Sequence, residues 1–270
     1  MSFKNDQYSL RELAGHLHLS PSYFSHVLTG KRSPSEKVAL DLCVHLKFDK
    51  TETEFFLNLI KLSDSNTLED QRTAYGKMKR TGRYSKNTRH AADHVMHEYL
   101  SKWYHVAIRE LSNLPDFKSD AEWIQQRLKY KLSASEVRQA LRFLLKNQFI
   151  LVNEAGRPGK GSPNIQCHGE IFSLARAEFH EQTLNLAVQA IYDSPRENRK
   201  HLSTTAALTA LQFEKVRQVL DQAHEQITEV LNSDTGTAEK EVYQISSIAF
   251  SVSVNPSLNK KSHNKTDPVK

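Results

Sequence analysis

The stretch from Ser9 to Arg32, SLRELAGHLHLSPSYFSHVLTGKR, decides the fold of the first part of the chain. Between residues 10 and 17 its apolar side chains recur at helical spacing, which predicts a short amphipathic helix. Ser20 and Pro21 then provide an N-cap and a proline at the first helical position, where the missing amide proton costs no hydrogen bond. A second helix is therefore expected to begin at Pro21.

The second helix is expected to run to about Leu28, with Phe24, Val27 and Leu28 facing inward. Gly30 would end it in the left-handed conformation that glycine tolerates. The first helix carries Ala14, a residue small enough for two helices to cross closely. Two short helices with about three residues between them predict a helix-turn-helix.

The range from Leu10 to Thr29 resembles the helix-turn-helix of the Cro and lambda-repressor type. Ala14 stands where that type needs a small residue, and the run from Leu28 to Arg32 matches its frequent hydrophobic-x-Gly-Lys-Arg exit. Two positions depart from the pattern. His18 replaces a glycine often found in the turn, which requires a positive φ at His18 or a rearranged turn. The residues before Ser9 are too few for the full first helix of the type, so we expect a trimmed start.

The resemblance implies that the helix from Pro21 to Thr29 enters the major groove of DNA. None of the side chains that would reach base edges is an arginine or asparagine, so base discrimination is expected to be modest. The implied base-edge contacts are Ser22, Ser25, His26 and Thr29, the implied backbone contacts are Ser20 and Tyr23, and the implied phosphate contacts are Lys31 and Arg32.

Two more helices are predicted after the helix-turn-helix. The run Ser33-Pro34-Ser35-Glu36 has the form of a capping box that opens a third helix, and Thr51 is expected to cap a fourth. The residues expected to face inward from these helices are Val38, Ala39, Leu42, Cys43, Leu46, Phe55, Phe56 and Leu59.

Length and composition restrict the class of protein. A chain of 270 residues, 38% of them apolar and 25% charged, is typical of two globular domains. No apolar run is long enough for a membrane span and no signal peptide is visible, so we expect a cytoplasmic protein. The two cysteines, Cys43 and Cys167, are too far apart in sequence for a CxxC pair, which excludes a disulfide scaffold and a zinc finger.

The positive charge is concentrated outside the predicted helix-turn-helix segment, residues 1–62. The chain has a net charge of +6, but residues 1–62 hold 8 basic and 7 acidic residues. Residues 71–92 hold seven basic residues and no acidic one, so 63–92 is predicted to be a basic linker. Either this linker touches phosphates or it is a solvated connector between domains. The candidate phosphate contacts in it are Lys77, Lys79, Arg80 and Arg83.

Helical spacing of apolar residues over 91–111 predicts one long helix there. His90, His94 and His97 share a face of it, which is a geometry that could hold a metal ion. No cysteine lies nearby in the sequence and Arg89 is adjacent, so these histidines are interpreted as structural or surface residues and no metal site is predicted.

The next segment has the order of a winged helix. A helix over 121–129, a helix opened by the capping box Ser133–Glu136, a strand over 149–152, a glycine-rich basic loop and a strand over 165–167 follow one another. Two interpretations stay open: DNA binding, or a dimerisation or packing module. The residues that suit DNA are Arg157 and Lys160 on the wing, and Arg138, Arg142 and Lys146 on the second helix.

The last part of the chain is expected to mix helices and strands. A helix over 173–192 precedes a strand over 203–210, a long amphipathic helix over 211–231 and a strand over 241–252, which together predict a βαβ-like unit. Its acidic balance suits an effector or a second copy of the chain better than nucleic acid. Residues 255–270 are predicted to be a disordered basic tail.

The fold class predicted for the whole chain is mainly α. It has an N-terminal helix-turn-helix bundle and an α+β C-terminal domain with a winged-helix-like section and a βαβ-like end. The predicted segments are the helix-turn-helix (1–62), the basic linker (63–92), the long helix with the winged-helix-like section (93–172), the effector or dimerisation section (173–254) and the tail (255–270).

The Cro-type helix-turn-helix is followed by the winged-helix-like section and by three short motifs: Trp103-Tyr104-His105-x-x-Ile108-Arg109-Glu110-Leu111, Trp123-Ile124 and Val242-Tyr243-Gln244-Ile245. With these features, the chain from residue 9 to 252 resembles a family of bacterial two-domain transcription regulators whose C-terminal domain has no assigned function. The resemblance implies a regulator that binds double-stranded DNA, with room for an unknown effector. We expect a homodimer, because one helix-turn-helix rarely covers enough base pairs alone. The alternative is a protein-binding adaptor built on the same helical bundle. The sequence holds no nucleophile elbow, phosphate loop or HExxH motif, so we expect neither an enzyme nor a cofactor.

Overall fold

The computed structural model of the chain describes residues 10–81, 88–153, 158–161, 169–233 and 239–254. The chain divides between Ser194 and Pro195 into two units. As predicted, it is mainly helical, and the described residues form a single two-stranded sheet. None of the described helices is long and apolar enough to cross a membrane.

The first unit holds ten of the described helices and both strands. Its elements are α1 (Leu10–His16), α2 (Pro21–Leu28), α3 (Glu36–His45), α4 (Lys50–Asp64), α5 (Leu68–Arg80), α6 (Thr88–Leu100), α7 (Trp103–Leu111), α8 (Ala121–Arg127), α9 (Ala134–Lys146), β1 (Ile150–Val152), β2 (Pro158–Lys160) and α10 (Glu170–Asp193). The second unit holds a 3₁₀ turn (Arg196–Asn198) and α11 (Ala210–Asn232).

Helices α1 to α4 close around a small apolar cluster. Ala14, Leu17, Phe24 and Leu42 are buried in it, and Phe56 of α4 packs against it. The turn between α1 and α2 contains His18 at φ 52°, the positive value that replacing the usual glycine requires, and Gly30 follows α2 at φ 68°. The predicted pair of helices and both of its backbone conditions are thus confirmed.

Two residues predicted to face inward are exposed. Leu28 is 56% exposed and Leu46 is 46% exposed, so their predicted burial is wrong. Leu28 lies in the last turn of α2 and Leu46 is the C-cap of α3. Both sit at helix ends, beyond the turns that pack through Phe24 and Leu42.

Two predicted caps are also shifted. The N-cap of α3 is Ser35, whose hydroxyl accepts a hydrogen bond from the backbone of Val38, and Ser33 bonds to Asp64 instead. The N-cap of α4 is Asp49 rather than Thr51, and it forms a complete capping box with Glu52. A carboxylate at an N-cap also interacts favourably with the positive end of the helix dipole.

The segment predicted to be a basic linker contains a packed helix. Ala74, Tyr75 and Met78 of α5 are buried against Leu62 of α4 and against α10. The contacts from α10 are made by Ile171 and Leu174. The described part of 63–92 is therefore part of the first unit and not a solvated connector, because α5 hides an apolar stripe among its basic residues.

The predicted long helix over 91–111 is two helices, α6 and α7, which break at Ser101 and Lys102. The side chain of Gln182, on α10, fills the break. Its Oε1 accepts from the backbone N–H of Trp103 at 2.9 Å, and its Nε2 donates to the carbonyl oxygen of Ser101 at 3.0 Å. Lys102 gives no side-chain cap, so Gln182 satisfies the helix start from another helix.

Helices α6 to α9 and strand β1 enclose the largest apolar cluster. The capping box of Ser133 and Glu136 opens α9 as predicted. Strands β1 and β2 pair antiparallel, with Leu151 opposite Gly159, so the second strand lies inside the segment predicted to be a loop. The strand predicted over 165–167 lies outside the described residues.

Gly161 marks a close approach of two backbones after β2. A Cβ atom there would lie 2.1 Å from the carbonyl oxygen of Gln148, so no other residue fits without a shift. Arg109, on α7, donates from Nε and Nη2 to the carbonyl oxygen of Gly161 at 3.1 and 2.6 Å. Gly161 is thus held by two contacts: a close backbone approach to Gln148 that needs glycine, and hydrogen bonds from the Arg109 side chain of α7.

A buried polar network joins α5, α6 and α10. The Glu178 carboxylate accepts from Nε of Arg72 at 3.1 Å, and its Oε2 lies 3.2 Å from Nε2 of His97. Arg72 also bonds to the more exposed Glu181. Burial raises the pKa of Glu178, but His97 and Arg72 outweigh burial and hold that pKa below its ordinary value.

The second unit contains one long helix and no described strand. The predicted helix over 211–231 is confirmed as α11, but the predicted strands over 203–210 and 241–252 are wrong, and so is the βαβ-like end. A strand requires hydrogen bonds to a neighbouring strand. The side chains over 203–210 are mostly Ser, Thr and Ala, and they offer little apolar surface for such pairing.

Candidate nucleic-acid interface

Helix α2 is closed at its N-terminus by its own cap. The hydroxyl of Ser20 accepts a hydrogen bond from the backbone N–H of Tyr23 at 3.2 Å, and Pro21 occupies the first turn. The oxygen of Ser20, a predicted contact to the DNA backbone, is thus already used to hold the helix.

The exposed face of α2 carries most of the predicted base-edge residues. Ser22, Ser25 and His26 are exposed, and their side chains have no hydrogen-bond partner among the described residues. Thr29 differs, because its hydroxyl donates to the carbonyl oxygen of Ser25 at 2.8 Å. Three of the four predicted base-edge side chains are therefore available to a ligand.

The chain leaves α2 through a left-handed turn that positions the two predicted phosphate contacts. The backbone N–H groups of Lys31 and Arg32 donate to the carbonyl oxygen of His26 at 2.9 and 3.2 Å, with Gly30 between them and the helix. The Arg32 guanidinium lies 4.9 Å from the centre of the Tyr23 ring. Tyr23 therefore orients Arg32, in addition to its predicted role as a backbone contact.

The predicted secondary contacts are not gathered into the α2 site. Lys77, Lys79 and Arg80 are exposed in the last part of α5, where Lys79 lies 5.6 Å from the Tyr75 ring. Lys160 donates from Nζ to Oε2 of Glu110 at 2.8 Å, so its charge is already paired. Arg83 and Arg157 lie outside the described residues.

The histidines of α6 make different contacts. Nδ1 of His94 is 2.8 Å from the hydroxyl of Tyr75, and His97 faces Glu178. The side chain of His90 lies outside the described residues. Within the part of the chain that the structure describes, no group of three potential ligands is placed to hold a metal ion.

A second basic surface lies on α9. Arg138, Arg142 and Lys146 are exposed on the side of the helix opposite its buried residues, and Ser135 and Gln139 lie among them. The three cations were noted in the sequence, but the place of Gln139 in their row was missed. The spacing of three and four residues that places it there was available in the sequence.

Comparison with known families assigns two parts of the chain. A profile described as "Helix-turn-helix domain" matches residues 5–56, and a helix-turn-helix indicates DNA binding. A profile described as "Domain of unknown function (DUF4423)" matches residues 84–252, more than half of the chain. No curated protein and no solved structure matches the chain. The chain therefore belongs to the DUF4423 family, and it carries a helix-turn-helix domain ahead of the DUF4423 match.

Proposed function

We propose that the chain is a transcription regulator that places α2 in the major groove of duplex DNA, acts by binding and not by catalysis, and works as a homodimer. The observation that carries this proposal is the exposed face of α2, with Ser22, Ser25 and His26 available beside Lys31 and Arg32. Eight residues make a helix of about 12 Å, comparable to the width of the groove, which is about 12 Å.

The first experiment measures binding of the full chain to duplex DNA from upstream of its own coding sequence, by fluorescence anisotropy over a salt series. The variant Ser22→Ala/His26→Ala/Lys31→Ala/Arg32→Ala is expected to bind at least about 10-fold more weakly. Because Lys31 and Arg32 would each displace a counterion, the slope of log affinity against log salt should fall by about 2.

A matched control removes the same two positive charges from other exposed positions. Lys61→Ala/Lys118→Ala is expected to bind within about twofold of the parent, since neither residue lies near α2 in sequence. Binding that does not depend on salt, or an α2 variant that matches this control, would contradict the proposal.

The homodimer is supported by the spacing of apolar residues on α11. They recur every three and four residues along it, which is the repeat of a helix that packs against another helix in a coiled coil. No described residue of the second unit is buried, so the apolar residues of α11 are not fully packed against the rest of that unit. The row consists of Phe213, Val216, Leu220, Ala223, Ile227 and Val230.

The dimer is tested by sedimentation velocity at micromolar concentration. The parent chain has a mass of 30.9 kDa, and the sedimenting species is expected to have about twice that mass. The variant Leu220→Lys/Ile227→Lys should sediment as a monomer, because it buries two charges in the helix seam. Gln218→Lys/Gln222→Lys adds the same charges outside the row and should stay dimeric. A monomeric parent would refute the dimer.

We further propose that α7, α8, α9, β1 and β2 form a winged helix. Three helices, α7 to α9, precede the β1–β2 hairpin, which is the order of that fold. The role of an effector stays a prediction.

A protein-binding adaptor is the second candidate, and one observation favours it. Leu40 and Val44 are one turn apart on α3 and are 42% and 79% exposed, which is a typical apolar contact surface for a protein. If this candidate is correct, the chain shows no salt-dependent binding in the duplex experiment.

A further inference from the structure

The exposed side of α9 carries an uninterrupted basic row. Val137, Ala140, Leu141 and Leu144 face the core, and the opposite side carries Arg138, Arg142 and Lys146 at intervals of four residues. Residues four apart lie one above another on a helix, so the three cations form one line. Ser135 and Gln139 lie in the same row, with Nε2 of Gln139 3.4 Å from Oγ of Ser135.

No carboxylate of the described residues neutralises this row. Among the described residues no acidic side chain pairs with Arg138, Arg142 or Lys146, and Glu136, the acid of α9 itself, bonds to the backbone and hydroxyl of Ser133. Four other cations of the same region do have a carboxylate partner: Lys102 with Glu98, Arg109 with Glu110, Arg127 with Asp116 and Lys160 with Glu110. The row on α9 is therefore a cluster of three cations that is open to an anionic partner.

The chemistry of the row fits duplex DNA. Like charges one turn apart destabilise a helix, and a polyanion removes that repulsion. In the major groove, arginine forms hydrogen bonds with guanine, glutamine with adenine, and serine with either base. The available side chains of α2 include no arginine or glutamine. Thirteen residues give α9 a length of about 20 Å, enough to follow the major groove over several base pairs.

We propose that α9 is a second duplex-DNA-binding helix of this chain, independent of α2, and that the DUF4423 part contributes base readout through Arg138, Gln139 and Arg142. The hairpin next to it contributes less charge, because Lys160 is paired with Glu110. The full chain then contacts two separate segments of one duplex.

The experiment compares four forms of the full chain on the same duplex over a salt series. They are the parent, the α2 variant described above, the α9 variant Arg138→Ala/Arg142→Ala/Lys146→Ala, and a charge-matched control, Lys61→Ala/Lys118→Ala/Arg176→Ala. The α9 variant should bind at least about 10-fold more weakly than the control, with a salt slope smaller by about 3. Circular dichroism melting confirms that each variant folds.

The α2 variant separates this proposal from the proposed function. It should retain salt-dependent duplex binding that disappears when the α9 substitutions are added. Hydroxyl-radical footprints should show two protected segments with the parent and one with either variant. If only the α2 variant loses binding and the α9 variant matches the control, the α9 proposal is wrong and the proposed function stands. If only the α9 variant loses binding, the α2 function fails and this proposal stands.

Two competitors decide the class of ligand. A duplex RNA and a single-stranded RNA of the same sequence should displace the DNA from the α2 variant poorly, because the major groove of duplex RNA is too narrow for a helix. Stronger displacement by either RNA than by the DNA duplex would overturn the assignment to duplex DNA.

Gln139→Ala should change the base preference of the α2 variant without changing its salt slope, and an unchanged preference would refute base readout by Gln139.

Discussion

Replacing Glu178 by alanine is expected to lower the free energy of unfolding by about 2 kcal/mol at pH 7, because it removes the partner of buried polar groups. Glu178 is only 9% exposed, and its carboxylate contacts Arg72 on α5 and His97 on α6. The variant removes the carboxylate that lies 3.2 Å from the buried Nε2 of His97, and it removes one of the two acceptors of Arg72 on α10. The loss is measured by urea denaturation of the full chain at fixed protein concentration.

The matched control is Glu181→Ala. Glu181 lies three residues further along α10 and also bonds to Arg72, but its side chain is about half exposed. Water replaces an exposed ion pair at little cost, so a loss below about 1 kcal/mol is expected. Equal losses for the two variants would show that burial of the network does not matter.

The contribution of Glu178 has a definite pH dependence. Its pKa is lowered in the folded protein, so the folded state favours the charged carboxylate more than the unfolded state does. The stabilisation is therefore present above the ordinary pKa of a glutamate and is lost as the pH falls through the lowered value.

Acidification from pH 7 to pH 5 is expected to lower the free energy of unfolding by about 2 kcal/mol through His105 alone. His105 is 1% exposed, its ring stacks on Phe143 with centroids 4.8 Å apart, and its Nδ1–H donates to the carbonyl oxygen of Glu98 at 2.9 Å. Burial, helped by the charge of Lys102, lowers the pKa of His105 to about 4, although the bond to Glu98 opposes this.

The sign follows from proton counts. Between the ordinary histidine pKa, about 6.5, and about 4, the unfolded chain binds a proton that the folded chain excludes, so stability falls as the pH falls. The full difference approaches about 3 kcal/mol at the lower end of this range.

The measurement is urea denaturation at pH 7, 6 and 5. His105→Asn retains a side-chain donor but does not titrate, so its stability should depend less on pH by about 2 kcal/mol over this range. His180→Asn, at an exposed position of α10, should keep the pH dependence of the parent. A parent and a His105→Asn variant with parallel pH profiles would refute the prediction.

The elements that the sequence predicts correctly depend on local chemistry. The cap at Ser20, the positive φ at His18 and the left-handed Gly30 each involve residues within a few positions of one another. The same holds for the box of Ser133 and Glu136. Because the base-edge residues of α2 follow from its boundaries, this candidate site was predictable from the sequence.

The elements that the sequence misses depend on distant partners. The break before Trp103 is stabilised by Gln182, which lies 79 residues away in sequence. The burial of α5 requires Ile171 and Leu174. The segment 241–252 has apolar residues typical of a strand, but a strand also needs a hydrogen-bonded neighbour, and periodicity cannot supply one.

The position of α10 in the chain affects how the protein folds during synthesis. The cluster that holds Leu62 and Met78 is completed by Ile171 and Leu174, which the ribosome makes long after α4 and α5. At a typical synthesis rate, about 5 to 20 s separate the emergence of Met78 from that of Leu174. For that time the apolar side of α5 has only α4 to cover it, and the part that packs on Ile171 and Leu174 stays exposed on the nascent chain.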